Sequence, residues 1–330
     1  MSFEHLFEEI SRLRVLVIGD VMLDTYCWGV VDRISPEAPV PVVAVRKSEN
    51  RIGGAGNVAI NTASLGAATT IISVVGKDSS GETLQNLLAA VPVDISFMVE
   101  TPNRVTTTKT RVMARNQQMI RLDAEVADDL SLELEEAVWK KILDYFEQGL
   151  PQVCILEDYN KGVLTPSLIT RIIDLCKSKG VITTVDPKKK NFFAYQGITL
   201  FKPNLKEVKE GLQLSNTSLE LADLNSIHAS LQKHLQHQIS FITLSEHGVY
   251  YHDGNNSALI PTHIRNIADV SGAGDTVIAV ASLVYAVTRT MHLAAEMANI
   301  AGGLVCEEVG TAPIRKQALL QESIRLLKGH

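Results

Sequence analysis

Two apolar patterns alternate along the chain. Short uninterrupted runs at 15–18, 69–75, 153–156, 181–185, 199–202 and 239–244 read as strands covered on both faces. Between the later runs, apolar residues at helical spacing predict amphipathic helices over 132–146, 166–177, 204–211 and 218–235. That alternation predicts an α/β fold with a doubly wound, mostly parallel sheet. Further helices are expected over 1–12, 58–65, 82–90 and 315–328, with a strand over 93–99. The runs 276–287 and 291–307 are apolar almost throughout, as buried helices are. Two segments break the pattern. Residues 105–113 and 118–122 alternate at period two, which predicts a hairpin. Residues 26–46 are apolar yet carry Pro36, Pro39 and Pro41, which a central strand cannot hold. They read as edge or lid material. The expected lid thus comprises about 24–47 and 100–123, on one continuous domain spanning 1–330.

Composition narrows the class without naming a chemistry. With 45% hydrophobic and 21% charged residues, the 330-residue chain reads as an ordinary globular protein. A net charge of −6 argues against nucleic acid as a partner. Cys27, Cys154, Cys176 and Cys306 lie far apart with no CxxC pair, so they read as buried thiols in a reducing compartment. The N-terminus is amphipathic and acidic, unlike a signal peptide, and no apolar run reaches membrane-spanning length. A cytoplasmic protein without a membrane partner is expected.

Candidate chemistry gathers where small residues open helices. Asp269 to Asp275 reads DVSGAGD and leads into the apolar run 276–287. Gly272, Ala273 and Gly274 allow a tight turn, and a helix N-terminus presents free N–H groups to an anion such as a phosphate. Asp275, in the first turn, could accept a proton beside that anion; a tight turn with a capping charge fits equally well. A second glycine-rich stretch, Arg51 to Asn57, opens the helix from Val58 with Gly66 as its stop. Polar residues also follow successive strands. They include Asp20 and Asp24, of which at least one should cap or brace a turn, then Asp158 and Lys161, Asp186 and Lys188, Asn204 and Glu207, and Ser245 to Gly248. Side chains collected at strand ends can line one crevice. Asn204 and Glu207 suit either water-mediated contact to Mg²⁺ or a capping pair. The run Lys188 to Lys190 reads as a solvated patch, and so does the face carrying Lys109 and Arg111, with Arg115 and Arg121 nearby.

GGAGN (Gly53 to Asn57) and DVSGAGD, about 215 residues further on, occur in an order that resembles the ribokinase-like (PfkB) carbohydrate kinases. NxxE at Asn204 to Glu207 extends the likeness. Within that family, GDVMLD, RISPEAPVPVV, TTTKTR, RNQQMIRLD and DYNKG look like the branch that phosphorylates D-glycero-D-manno-heptose 7-phosphate on the way to ADP-heptose and the lipopolysaccharide core. The resemblance implies a ribokinase-like three-layer fold with a small β lid. It implies Asp275 as catalytic base and the Gly272, Ala273 and Gly274 amides as anion hole. Asp24, Gly53, Gly54 and Asn57 would hold the sugar; Lys109, Arg111, Arg115, Asp158 and Lys161 would complete the substrate site around the 7-phosphate. Asn204, Glu207, Ser245, Gly248, Asn299 and Gly303 would serve the nucleotide, with Glu207 meeting Mg²⁺ through water. ATP, Mg²⁺ and a monovalent cation (K⁺) are the implied cofactors, and a homodimer through the lid strands the implied assembly.

The implied reaction is transfer from ATP to the anomeric C1 hydroxyl, giving the 1,7-bisphosphate. Many bacterial members of that branch add a nucleotidyltransferase domain with an HxGH motif, which this sequence lacks, so a kinase alone is expected. A PfkB-type kinase for another sugar, sugar phosphate or nucleoside is the nearest alternative. A dehydrogenase is disfavoured because no GxGxxG follows the first strand, and a non-catalytic sensor because Asp275 is present.

Overall fold

The computed structural model describes residues 1–114, 117–215, 218–263 and 265–327. The first part of the chain forms α1 (Phe3–Ile10), β1 (Arg14–Gly19), β2 (Val21–Ile34), β3 (Pro41–Gly54), α2 (Ala55–Ser64), β4 (Ala68–Ile72), β5 (Val74–Gly76) and α3 (Ser79–Ala89). Four short strands follow: β6 (Val93–Asp94), β7 (Val99–Thr101), β8 (Thr108–Ala114) and β9 (Gln117–Ala124). Strands and helices then alternate through α4 (Leu132–Glu147), β10 (Val153–Glu157), α5 (Pro166–Ser178), β11 (Ile182–Asp186), β12 (Leu200–Phe201), α6 (Leu205–Gly211), α7 (Leu221–Leu235) and β13 (Ile239–Thr243). A hairpin, β14 (Val249–His252) and β15 (Ser257–Ile260), precedes α8 (Ala273–Thr288), α9 (Met291–Val305) and α10 (Lys316–Leu326).

Nine strands make the main sheet, in the order β15-β14-β13-β12-β11-β10-β1-β4-β6. All pairings from β13 to β6 are parallel; β14 and β15 add antiparallel at one edge. Alternate side chains of each strand enter different cores. Val15 and Val17 pack with α2, α8 and α9, whereas Leu16 and Ile18 pack with α4, α5 and α7. Burial on both faces is why these strands are apolar at consecutive positions, and it gives the three-layer α/β/α arrangement. From β1 the chain first builds outward through β4 and β6, then returns to β10 and builds the other way. The order therefore reverses between β1 and β10, and their carboxyl ends open a crevice there.

A second sheet, in the order β3-β2-β8-β9, stands beside that crevice. Its inner ends are buried; β2 grows steadily more exposed toward Ile34, and β9 is exposed along its length. Pro36 and Pro39 lie in the β2–β3 connection and Pro41 begins β3, so none interrupts a ladder. Ile120 and Leu122, from one face of β9, are more than half exposed.

Two local expectations fail, and one element was not foreseen. The strand over 93–99 is split, because the Asp94 side chain accepts from the Ser96 amide (3.0 Å) and Met98 N–H turns back to Ile95 (3.0 Å). The glycine-rich stretch from Arg51 is mostly strand: β3 runs to Gly54, and α2 begins at Ala55 rather than at the expected Val58. The β14–β15 hairpin has no counterpart among the sequence expectations, although Asp253-Gly254 is a turn signal.

The β3–α2 corner depends on Gly54. Its φ is +60°, and a Cβ there would lie 2.3 Å from the Asp20 carbonyl oxygen, which also accepts the Ala55 amide at 2.9 Å. Gly54→Ala combines a strained backbone with a backbone clash and should destabilise the fold by about 2 kcal/mol or more. The measure is the urea midpoint at unchanged m-value; an unshifted midpoint would show that the corner relaxes freely.

Candidate active site

Asp275 sits in the first turn of α8, almost wholly buried. Gly272 precedes the helix at φ +77° and lets the chain turn in. Asn57 Nδ2 donates to Asp275 Oδ2 (2.8 Å), and the Tyr159 hydroxyl donates to Asp275 Oδ1 (2.7 Å). Burial pushes the Asp275 carboxyl up to about 6, with the Asp186 charge adding; these two hydrogen bonds and Lys188 pull the other way. The two glycine-rich stretches are thereby joined at one carboxylate. Ala273 N–H is spent on the Val270 carbonyl (3.3 Å), so the anion-hole expectation is corrected for Ala273. The first-turn amides of Gly274 and Asp275 remain as helix-end donors.

Behind Asp275 lies a buried charge network at the ends of β10, β11 and β12. Asp186 accepts from Lys188 (2.9 Å) and Lys202 (2.8 Å), and Lys188 also reaches Glu207 (2.8 Å). Burial pushes Asp186 up, but the two ammonium groups outweigh it and hold the carboxyl below its ordinary range. A Cβ on Gly274 would sit 3.6 Å from Asp186 and 3.7 Å from Lys202, so the α8 turn rests on this network. Glu157 completes it, fully buried, with neither carboxylate oxygen hydrogen-bonded. The Lys188 to Lys190 run therefore does not behave as one solvated patch. Lys189 and Lys190 are exposed, but Lys188 belongs to the interior network.

On the side of the second sheet, Arg111 Nη1 donates to Asp24 Oδ1 (2.7 Å) and lies over the Tyr26 ring. Gly53 is needed here because a Cβ would come within 2.5 Å of Asp24 Oδ2. Lys109 contacts Asp123 (3.5 Å) and Glu125 (3.4 Å), and Lys161 contacts the same Glu125 (2.8 Å). Two ammonium groups thus share one carboxylate, and neither they nor Arg111 are the open solvated face that alternation alone suggests. Arg115 lies outside the described residues.

Other expected site residues divide. Asp158 is corrected: it is fully buried and accepts from Tyr195 (2.7 Å), Asn191 (3.2 Å) and the Asn160 amide (2.7 Å), so it braces the loop from within. Asp20, as foreseen for one of the first two aspartates, takes a turn role by accepting the amides of Tyr159, Lys161 and Val163. Asn204 and Glu207 form a reciprocal capping box on α6, the capping option of the two left open by the sequence. Gly248 is required by its φ of +92° and by the Ile260 carbonyl, 2.0 Å from a built Cβ. Ser245 follows β13, Asn299 binds the Pro261 carbonyl from α9 (2.9 Å), and Gly303 lies under Arg265. Asp186 is among the polar strand-end residues named from the sequence; Tyr159, Glu157 and Lys202 are not singled out there, and their only signal is a polar residue at or just past a strand end.

Residues 12–317 match the family model "pfkB family carbohydrate kinase". The chain is 39% identical over 325 residues to "Bifunctional protein HldE" of Geotalea uraniireducens and 38% identical over 327 residues to the protein of that name in Geobacter sulfurreducens. These alignments cover 97% and 95% of this chain but 65% and 63% of those relatives, so the chain spans under two thirds of their length. The fold matches phosphofructokinase-2 from Escherichia coli, crystallised in complex with potassium, at TM-score 0.79 and 19% identity over 96% of this chain and 99% of that one. It also matches Arabidopsis thaliana ribokinase complexed with ribose and ATP, at TM-score 0.73 and 16% identity over 94% and 99%.

Asp275 can accept a proton only when ionised. The acid limb of kcat/KM against pH should therefore fall with an apparent pKa near 6. Asp158 titrates in the same range, so Asp158→Asn serves as the control. If the limb disappears in that variant, Asp275 is not its source.

Proposed function

Because this chain belongs to the pfkB family of carbohydrate kinases, which transfer a phosphoryl group to a sugar hydroxyl, we propose that its substrate is D-glycero-D-manno-heptose 7-phosphate and its product the 1,7-bisphosphate. The observation that carries the reading is Asp275, buried at the start of α8 and held by Asn57 and Tyr159, beside free helix-end amides. In this proposal the C1 hydroxyl oxygen attacks the γ-phosphorus of ATP, the bond to the bridging oxygen breaks, and Asp275 takes the hydroxyl proton. Asn57 and Tyr159 keep its oxygens aimed at that proton, while the Gly274 and Asp275 amides face the developing charge. Asp24, oriented by Arg111 and cleared by Gly53, binds sugar hydroxyls, and the bare backbone of Gly54 closes that corner. Lys109 and Lys161 exchange Glu125 for the 7-phosphate. Ser245, Gly248, Asn299 and Gly303 belong to the nucleotide side. Mg²⁺ fits a cleft this rich in carboxylates; both Glu207 oxygens are engaged, so Glu207 would meet it through water, and the ion would neutralise phosphoryl charge when bound. The similarity to proteins named HldE supports the heptose over other sugars.

The test is a substrate panel read by ADP release. Heptose 7-phosphate should exceed ribose, fructose phosphates and nucleosides in kcat/KM, and Asp275→Asn should lower turnover by about 10²–10⁴ while substrate binding persists. Lys109→Ala and Lys161→Ala should raise KM for phosphorylated heptose far more than for its unphosphorylated form. A preference for another acceptor, or an active Asp275→Asn, would overturn the reading. The same proposal includes pairing of two copies through the second sheet, supported by exposed Ile120 and Leu122. Sedimentation should give a dimer that Leu122→Asp weakens; a monomer at all concentrations would exclude it.

A further inference from the structure

Arg51 is a charge beside the cleft to which the phosphoryl-transfer reading gives no task. It lies opposite Asp24 in the β2–β3 ladder, so the wall that carries the proposed sugar ligand also carries Arg51. Its side chain crosses from that wall to the connection between α9 and α10. There Nη1 donates to the Val309 carbonyl (2.6 Å) and to the Thr311 carbonyl (3.2 Å). Nε donates to Glu49 (2.8 Å), and the guanidinium lies 5.1 Å from the centre of the Tyr26 ring, over which Arg111 also lies. Gly310 permits the approach, since a Cβ there would come within 2.5 Å of Nη1.

The connection gripped by Arg51 also supports the α8 turn. The Cys306 carbonyl accepts the amides of Ala268 (2.8 Å) and Asp269 (3.2 Å). Gly310 N–H donates to Asp269 Oδ2 (2.9 Å), and Ser271 holds Oδ1 through its amide (2.9 Å) and its hydroxyl (2.8 Å). Burial pushes the Asp269 carboxyl up, but these hydrogen bonds outweigh it and hold the group below its ordinary range. Gly272 then stands against Thr311, whose methyl carbon lies 3.1 Å from a Cβ built on the glycine. The turn that presents the Gly274 and Asp275 amides is thus braced by a segment that Arg51 fixes from the far side.

A monovalent cation steadying this turn, as the family resemblance implies, would draw on the same oxygens. Backbone carbonyls can replace the water around K⁺. In this chain the Val309 and Thr311 carbonyls already face a guanidinium, and both Asp269 oxygens are engaged. A second cation on those carbonyls would stand beside a fixed like charge. The residues present do not fit K⁺ at this position.

We propose that Arg51 is a positioning residue for the α8 turn, a covalently attached cation that takes the place of a bound monovalent ion. It acts through the 306–311 connection rather than on the reacting atoms. The inference rests on the kinase reading in taking the α8 amides as the phosphoryl site.

The test compares K⁺ with tetramethylammonium at constant ionic strength on the full chain. Wild type should show the same kcat and the same Tm in both. Arg51→Ala should lose about tenfold or more in kcat while KM for both substrates changes far less. K⁺ or millimolar guanidinium should restore part of that loss by filling the emptied position. The Tm of Arg51→Ala, measured without substrates, should rise in K⁺ although that of wild type does not. Arg51→Lys, which keeps a cation there without the planar fork, should retain more activity than Arg51→Ala. Stimulation of wild type by K⁺, a wild-type kcat in Arg51→Ala, or a loss that no cation repairs would each overturn the proposal. Should Arg51→Ala fail to fold, the wild-type comparison still decides. The Tm arm contains neither nucleotide nor sugar, so a chain inactive on every acceptor would remove the kinase reading and leave this result standing.

Discussion

The hydrogen bond from Asn57 to Asp275 joins residues 218 positions apart, and much of the cleft follows from it. For the two side chains to meet, the α8 turn must pass close against α2. A Cβ on Gly272 would come within 2.7 Å of Asn57 Nδ2, so glycine is what permits that approach. The bond is also supported from behind. Asn61 donates to the side-chain oxygen of Asn57 (3.1 Å), while its own oxygen accepts from Thr276 (3.2 Å) and the Ile314 amide (2.9 Å). A polar chain thus runs through the packed interface of two helices, with each member satisfied. Such networks fix orientation because any partial arrangement leaves a buried group unpaired. Asp275 is therefore aimed by the core as much as by its own loop.

Holding charged groups this deep opposes folding, and the ammonium groups decide how far it can go. Lys202 is only 2% exposed and would be untenable without Asp186. Asp158 and Asp275, each pushed by burial to about 6, act in the opposite sense. Their folded pKa values lie above the ordinary 3.8, so the folded state favours the protonated form. The stability they lend is present in acid and is lost as pH rises through 6. The cleft trades stability near neutral pH for an ionised carboxylate in a dry site, and the apolar cores on both faces of the main sheet absorb the loss.

The apolar runs made the main sheet legible, because strands buried on both faces leave no polar alternation to blur them. The prolines at 36, 39 and 41 marked the second sheet for a similar reason: each forbids a central strand. Asp275 and Asn57 could be named from small residues at helix starts, where backbone geometry and chemistry coincide. Lys188 could not, because a run of three lysines looks solvated until the fold turns only one of them inward. Asp158 misled in the converse way: it follows a strand as a ligand-binding residue would, yet its side chain turns to Tyr195 and Asn191. Side-chain direction at a strand end depends on the loop that follows. Here three amides bound to Asp20 set that loop, a tertiary contact invisible to local pattern.

The same distinction governs the cations facing the cleft. Lys109 and Lys161 are each about 15% exposed at the side chain and already share Glu125. A neutral sugar offers nothing that repays breaking that arrangement. A phosphate brings about two negative charges and three acceptor oxygens, so it can take both ammonium groups and release Glu125 toward water. Arg111 differs, since its partner Asp24 is itself 4% exposed at the side chain and belongs to the sugar-facing wall. Displacing that pair would strand a buried carboxylate, a penalty of several kcal/mol for an unpaired buried charge. Exchangeable charge therefore resides on the two lysines, while the arginine keeps Asp24 oriented. On this division, recognition of a substrate phosphate is an exchange of anions between two fixed cations, and its selectivity comes from what the neutral competitor fails to displace.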